Sequence, residues 1–317
     1  MHGLLKRLQD GRFHSGEALA SLAGLSRMAI WKRLQQLEQE LGLELHSVRG
    51  KGYRLAEPLS LLDRERLASQ VRWPLDLHLE LDSTSAEAMR QLQAGRKPPF
   101  AVLAERQSAG RGRRGRQWIS PFGRNLYFSL VWPVEGGTRE LEGLSLVAGL
   151  AVREALQAAG LGNAALKWPN DVLVRGRKIA GILLELLGDP ADSCQVIIGI
   201  GLNVNMLQPP EPIDQPWTSL QRETGERADR TLLCSRLCDA LAHWLVRHRQ
   251  QGFAALRPEW EQAHAWQGCQ VQLSSATRTV SGRVLGVTDQ GALRLDVNGR
   301  EQLFSGGELS LRLSDDS

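Results

Sequence analysis

Gly110-Arg111-Gly112-Arg113-Arg114-Gly115-Arg116 spells a dinucleotide-binding fingerprint, and the residues that follow it decide against that fold. In a Rossmann unit such glycines open an apolar helix whose N-terminus holds pyrophosphate, with an acid about 20 residues on. Here the run leads into Gln117-Trp118-Ile119-Ser120-Pro121 and then a strand-like segment over 126–132. With no helix N-terminus available, arginine side chains must supply the positive field. Arg106, Arg111, Arg113, Arg114 and Arg116 meet no acid within 106–116, a density of guanidinium groups suited to a polyphosphate. Trp118 and Phe122 anchor the exit of this loop.

Working outward, alternation predicts a strand over 77–81 running into Asp82-Ser83-Thr84-Ser85, and a short strand over 101–105 that delivers the chain into the arginine loop. Thr84 with Glu87 fits a capping box, Thr84 as N-cap and Glu87 reaching back. Downstream come a helix over 144–160, a strand over 164–168 and Lys167-Trp168-Pro169-Asn170-Asp171. Pro169 cannot continue a ladder, so Asn170 and Asp171 are expected in a turn. Lys178 stands at the polar end of a strand over 178–185, and the strand over 196–205 carries Gly199 and Gly201. Two glycines in a β-branched strand mark either a close approach to the backbone or a bulge. The pattern is a mixed α/β domain over 61–265.

Towards the N-terminus the periods are helical. Ser15 and Ser26 are N-caps, and Ile30, Leu34, Leu37 and Leu41 recur at spacings of four, three and four, leaving Arg27, Trp31, Lys32 and Gln35 off the buried stripe. Helix, tight turn, helix and a hairpin tipped by Gly50-Lys51-Gly52 read as a winged helix-turn-helix over 1–58. The third helix would enter a major groove and the basic wing, with Arg49 and Lys51, would touch phosphates. A small helical dimerisation module is the alternative. Pro58 ends the module at a linker over 57–60. Beyond Trp266 the period shortens to strands over 271–273, 280–287, 292–297 and 301–304 punctuated by glycine, a small antiparallel barrel over 266–317. The fold class is thus α+β and multidomain.

The chain has 317 residues and a net charge of only +4, so its cationic character lies in local clusters at the wing and the arginine loop. Cys194, Cys234, Cys238 and Cys269 form no CxxC pair and have no histidines at metal-ligand spacing. No metal-ligating set is expected. No apolar run reaches the length of a signal peptide core or a membrane span, and the expectation is a cytoplasmic protein with reduced thiols.

Taken in order, Phe13-His14-Ser15-Gly16-Glu17 with Ser26-Arg27, Gly50-Lys51-Gly52-Tyr53, Asp82-Ser83-Thr84, the 110–116 loop with Trp118, Lys167-Trp168-Pro169-Asn170-Asp171, Arg177-Lys178-Ile179-Ala180-Gly181 and Gly199-Ile200-Gly201-Leu202-Asn203 resemble the bacterial bifunctional biotin protein ligases that also repress biotin synthesis. The resemblance covers nearly the whole chain. It departs at Ser85, where the family commonly has asparagine, and at Trp31 in the recognition helix. It implies that biotin and ATP give biotinyl-5′-AMP and that an acceptor lysine of the biotin carboxyl carrier protein of acetyl-CoA carboxylase then displaces AMP, with Mg2+ bridging phosphates. It places Ser83, Thr84, Ser85, Gln107, Gly110, Arg111, Arg113, Lys178, Gly181 and Gly199 around biotin. Arg113, Arg116, Trp118, Asn170, Lys178, Asn203 and Trp217 fall around ATP, Trp217 stacking on adenine. Arg113, Lys178 and Asp171 are the catalytic candidates, Asp171 as a base or as an orienter of the amine. Ser26, Arg27, Trp31, Lys32, Arg49 and Lys51 are the DNA-binding candidates, facing operator DNA in a homodimer promoted by biotinyl-5′-AMP. The resemblance also makes the C-terminal barrel SH3-like, either gripping the acceptor or only capping the structure. Three rivals stand beside this: a ligand sensor with a dead catalytic domain, a ligase for lipoate or octanoate, and a ligase whose N-terminal module no longer binds DNA.

Overall fold

The computed structural model describes residues 2–135, 137–189, 194–275, 278–306 and 309–314. Helices α1 (His2–Leu8), α2 (Gly16–Ala23) and α3 (Arg27–Leu41) come first. Ser15 and Ser26 are extended, and their hydroxyls accept the N–H groups of Ala18 and Ala29, so the two caps expected from sequence are in place. Ile30, Leu34, Leu37 and Leu41 are buried together against Leu4, Leu5, Leu8 and Leu19. Strands β1 (Leu45–Val48) and β2 (Gly52–Leu55) form the antiparallel wing. Gly52 sits at φ +98°, and a Cβ there would fall 2.0 Å from the His14 carbonyl oxygen. Only glycine lets the wing lie against the chain before α2, where His14 and Tyr53 exchange two backbone hydrogen bonds of 2.9 Å.

The segment after the wing is strapped rather than free. The Leu59 N–H bonds the Gln9 carbonyl at 2.8 Å, the Leu62 N–H bonds the Glu105 carboxylate at 2.6 Å, and the Asp63 N–H bonds the Thr231 hydroxyl at 3.0 Å. Arg230, fully buried, donates to the Ser60 and Asn125 carbonyls and to Glu105. Leu59 is buried with the N-terminal core, and Phe122 joins the same cluster from beyond the arginine loop. A linker expected from proline and polar residues is therefore held along its length.

The middle of the chain adds α4 (Arg64–Gln70), β3 (Leu75–His78), α5 (Thr84–Gln93), β4 (Phe100–Ala104), β5 (Leu126–Val134), α6 (Leu144–Ala158), β6 (Ala164–Lys167), β7 (Asp171–Val174), β8 (Arg177–Gly188) and β9 (Cys194–Leu202). They build a seven-stranded sheet in the order β3-β4-β5-β9-β8-β7-β6, parallel only between β3 and β4. Strand alternation sorts the faces. Phe100, Val102, Val131 and Ile197 pack under Ala88 of α5, whereas Ala101, Leu103, Leu130 and Ile198 join the larger core beneath α6 and the helices that follow.

Those are α7 (Leu220–Thr224), α8 (Arg230–Gln251) and α9 (Phe253–Ala263), before β10 (Gln270–Ser274), β11 (Thr279–Val287), β12 (Leu293–Val297), β13 (Arg300–Phe304) and β14 (Ser310–Leu313). Val271, Val284, Leu293 and Leu311 of the last strands belong to the same buried cluster as the central sheet. The five strands run β13-β12-β11-β10-β14. Among the described residues β13 and β14 do not pair, so the five strands form an antiparallel sheet that is not closed into a barrel, and edge strand β14 is turned towards the central domain. No described helix is long and apolar enough to cross a membrane.

Candidate active site

The α5-facing side of β9 loses its side chains beyond Ile197. Continuing the alternation from Ile197, β9 presents Gly199 and Gly201 on that face. The registers place Tyr127, Gly201, Gly181 and Asp171 in one row across four strands, and Ser129, Gly199 and Leu183 in the next. Both rows are continuous through β9, which removes the bulge alternative for the two glycines. A Cβ on Gly199 would stand 2.7 Å from the Ser85 hydroxyl, and one on Gly201 2.3 Å from the Trp118 indole. The glycines are there because other side chains lie on the backbone. Above them is a cavity of about 540 Å³, within the range of roughly 300–1,000 Å³ usual for small-molecule sites.

One wall is the start of α5. Its N-cap is Ser83, whose hydroxyl lies 3.5 Å from the Ala86 N–H. The capping box expected at Thr84 is thus displaced by one residue, and Glu87 bonds Gln91 and Arg90 instead of reaching back. Thr84 has another partner across the chain: its N–H and hydroxyl both donate to the Gln107 side-chain oxygen Oε1, at 2.9 and 3.2 Å. Ser129 donates to the Thr84 hydroxyl at 2.8 Å, so Ser85, 3.0 Å from Ser129, is left as the donor to it. The Gln107 amide donates to Ser120, which donates to the Trp118 carbonyl. Five side chains thus form one directed hydrogen-bond chain from the helix start to the arginine loop.

That loop is a closed hairpin. The Trp118 N–H bonds the Gly110 carbonyl, the Gly112 N–H bonds the Arg116 carbonyl at 2.7 Å, and a 3-10 turn at Arg113–Gly115 puts Arg114 at φ 59°. No α-helix follows, as the sequence required. Trp118 lies over Gly201, with its Nε1 buried and without a hydrogen-bond partner. Arg111 pairs with Glu185 at 3.0 Å. Arg113 reaches across the cavity to the Asn170 side-chain oxygen at 3.0 Å, while the Asn170 amide is fixed on the Ile182 carbonyl at 2.7 Å. Burial pushes the Arg113 guanidinium below its usual range, against the attraction of Asp171.

Opposite stands a carboxylate between two lysines. Lys178 Nζ is 2.6 Å from Asp171 Oδ1 and Lys167 Nζ 3.5 Å from Oδ2, and all three side chains are less than one-fifth exposed. Asp171 opens β7 rather than sitting in the turn. Burial lowers the Lys167 pKa; Asp171 opposes the shift and Lys178 adds to it. Lys178 also lies 5.4 Å from the Trp118 ring centre. The pocket therefore concentrates fixed cations around a space of small-molecule size.

Of the residues expected around biotin and ATP or in catalysis, Ser83, Thr84, Ser85, Gln107, Arg111, Arg113, Arg116, Trp118, Asn170, Asp171, Lys178, Gly181 and Gly199 line this cavity. Gly110, Asn203 and Trp217 do not. Gly110 forms the neck of the hairpin, where a Cβ would collide with the Trp118 carbonyl at 2.5 Å. Asn203 is buried, its amide bonded to the Thr218 carbonyl. Trp217 is covered by the Arg222 guanidinium at 4.5 Å, and its neighbours Pro216 and Thr218 hold the Lys178 backbone. Sequence reasoning passed over Lys167, Ser129 and Glu185; the one polar residue in the strand LYFSLVW was the available signal for Ser129. It also passed over Trp266, in the turn before β10, and Gln272, Ser310 and Arg312 of the C-terminal sheet, which close the cavity on that side. Ser26, Arg27, Trp31, Lys32, Arg49 and Lys51 are all exposed on the N-terminal module, away from the cavity. Ser26 is committed to its cap, and Arg27 pairs with Glu17 at 2.7 Å.

Residues 80–203 match the Biotin/lipoate A/B protein ligase family, residues 3–54 an HTH domain and residues 267–312 the Biotin protein ligase C terminal domain. The Biotin protein ligase from Aquifex aeolicus in complex with biotin and ATP superposes with a TM-score of 0.66 at 32% identity, over 76% of this chain and 99% of that one. The Bifunctional ligase/repressor BirA of Escherichia coli is 39% identical over 98% of this chain and 96% of its own length. That of Salmonella typhimurium is 40% identical over the same shares. With likeness of that extent running from the helix-turn-helix through the cavity to the last strand, the chain belongs to the family of bifunctional biotin protein ligase/repressors.

Proposed function

We propose that the cavity binds biotin and ATP together and that its cations drive a two-step transfer. A biotin carboxylate oxygen attacks the α-phosphorus, the bond to the bridging oxygen breaks, and pyrophosphate leaves with that electron pair. The ε-amine of an acceptor lysine on the biotin carboxyl carrier protein then attacks the acyl carbon, AMP departs and the amine loses a proton. The obstacle in the first step is electrostatic: a carboxylate about 4 Å from a phosphate oxygen is opposed by roughly 4 kcal/mol per charge pair at an effective dielectric near 20. Arg113 and Lys178, already fixed by Asn170 and Asp171, are placed to offset it and to stabilise charge developing at phosphorus. Arg111 and Arg116 add to the field, and Asp171 is the candidate to orient the incoming amine or accept its proton.

The convergence of Arg113, Asn170, Asp171 and Lys178 on a glycine floor carries this assignment. Biotin is assigned the space between that floor, the Ser83–Ser85 hydroxyls and Gln107; the nucleotide is assigned the side of Arg116, Trp118 and Asn170. Among the described residues no group of three His, Cys, Asp or Glu side chains could hold a metal, and Asp171 is occupied by two lysines. Magnesium would enter with ATP and neutralise phosphate charge. Residues 61–265 serve the ligation, and Gln272 of β10 with Ser310 and Arg312 of β14 close its cavity. Residues 1–58 serve operator DNA through α3 and the wing, as a homodimer once biotinyl-5′-AMP is bound.

Incubation with labelled biotin, ATP, magnesium and a biotin carboxyl carrier domain tests the ligase directly. Label passes to the carrier, and Lys178→Ala slows adenylate formation by about 10²–10³, the size of one transition-state donor. Absence of transfer, with Lys178→Ala behaving as wild type, would overturn the assignment. Biotin plus ATP raises DNA affinity in a gel shift; an unchanged affinity removes the corepressor role.

A further inference from the structure

The second helix of the helix-turn-helix carries two large apolar side chains that its own fold does not use. Met28 is 63% exposed and Trp31 42% exposed, although Ile30 and Leu34 beside them are buried. Residues three and four apart share a helix face, so Met28 and Trp31 stand together, Arg27 falls in line with Trp31, and Lys32 falls in line with Met28. Both apolar residues lie in the first turns after the Ser26 cap, the part of a recognition helix that meets base edges. The wing contributes exposed Arg49 and Lys51. An apolar strip edged by cations complements a surface with apolar groups on its floor and phosphates along both rims. The major groove has that character where thymine presents its 5-methyl group.

We propose that Met28 and Trp31 select the operator by packing on thymine methyl groups in the major groove. The proposal rests on the N-terminal module being the DNA-binding part. Asn and Gln side chains can take two hydrogen bonds from adenine and Arg can give two to guanine; neither Met28 nor Trp31 can make either pair. Their discrimination comes from apolar contact and from shape. Thymine steps are therefore required where α3 enters each half-site, with the exposed cations Lys32, Arg49 and Lys51 beside them available for phosphate contacts.

The experiment selects duplexes from a randomised library with the full-length protein in the presence of biotin and ATP, then remakes them with deoxyuridine for thymine. That exchange deletes only the 5-methyl groups. Wild type loses about fourfold in affinity for each contacted methyl, the value of one buried methylene-sized group. Met28→Ala and Trp31→Ala bind the thymine duplex more weakly and lose their sensitivity to the exchange, while Trp31→Phe keeps part of it. Unchanged melting temperatures verify that these surface variants are folded. Wild-type binding indifferent to deoxyuridine overturns the methyl reading while leaving DNA binding intact. Failure to recover any duplex overturns the assignment of the module as well.

Discussion

Gly199 offers the sharpest test of how the cavity floor is built. In Gly199→Ala the new methyl carbon would lie 2.7 Å from Ser85 Oγ, about 0.7 Å inside ordinary contact, which begins near 3.4 Å. Ser85 can retreat only by leaving Ser129, to which it is bonded at 3.0 Å in a fully buried position. The cost is overpacking of about 1–3 kcal/mol, seen as a melting temperature lower by roughly 2–8 °C and a higher KM for biotin. Ser85→Ala alone forfeits one buried hydrogen bond, about 1 kcal/mol. In Gly199→Ala/Ser85→Ala the atom that collides is gone, so the double variant is more stable than the sum of the singles by about 0.5–3 kcal/mol. Thermal melts of the four proteins, with KM for biotin in the carrier-labelling assay, complete the cycle. Additive losses would show that the methyl does not meet Ser85 and that the close approach is misread.

Arg230→Met strands the buried Glu105 carboxylate without its cation and costs about 3–5 kcal/mol in urea unfolding, whereas Arg230→Met/Glu105→Leu recovers only part of that loss, because the Leu62 N–H and the Ser60 and Asn125 carbonyls stay unpaired; equal losses in the two variants would contradict it. His264 is buried against Trp260, ring centres 4.6 Å apart, and burial holds its pKa down to about 4 from 6.5. The unfolded chain takes up the proton first, so stability is full above pH 6.5 and falls by up to roughly 3 kcal/mol as pH drops towards 4. His264→Phe melts measured across that window should have a shallower pH slope, and an unchanged slope would assign the acid sensitivity elsewhere. Finally, biotin with ATP should slow tryptic cleavage within 110–116, because an adenylate neutralises mutually repelling arginines; equal rates with and without ligand would refute an ordering role for that loop.

Much of the site was legible because its signals are local. The absence of a helix after Gly115 could be read from Trp118 to Pro121, and the buried stripe of α3 from its spacing. What escaped depends on partners far along the chain. Ser83 and Thr84 are equally good caps by type, and only Gln107, which takes the Thr84 N–H and hydroxyl, decides for Ser83. A bulge and a close approach look identical in a glycine-bearing strand until the registers of β5 and β8 against β9 are known. Asn203 belongs to a run that suggested a ligand, yet its amide holds the Thr218 backbone. β14, Trp266 and Lys167 meet only through the packing of two sheets separated by α8 and α9, a juxtaposition that no periodicity encodes.

The strap over 59–63 bears on operator geometry. Gripped by Gln9 on one side and by Glu105, Thr231 and Arg230 on the other, it leaves no slack between the recognition helix and the ligase domain. Arg106 adds a second tie by donating to the Glu40 carbonyl at the end of α3. The reading heads are mounted like the jaws of a caliper rather than hung on tethers. In the proposed homodimer the gap between them would be set by how the ligase domains meet, and inserting a few base pairs between half-sites would rotate one site out of reach.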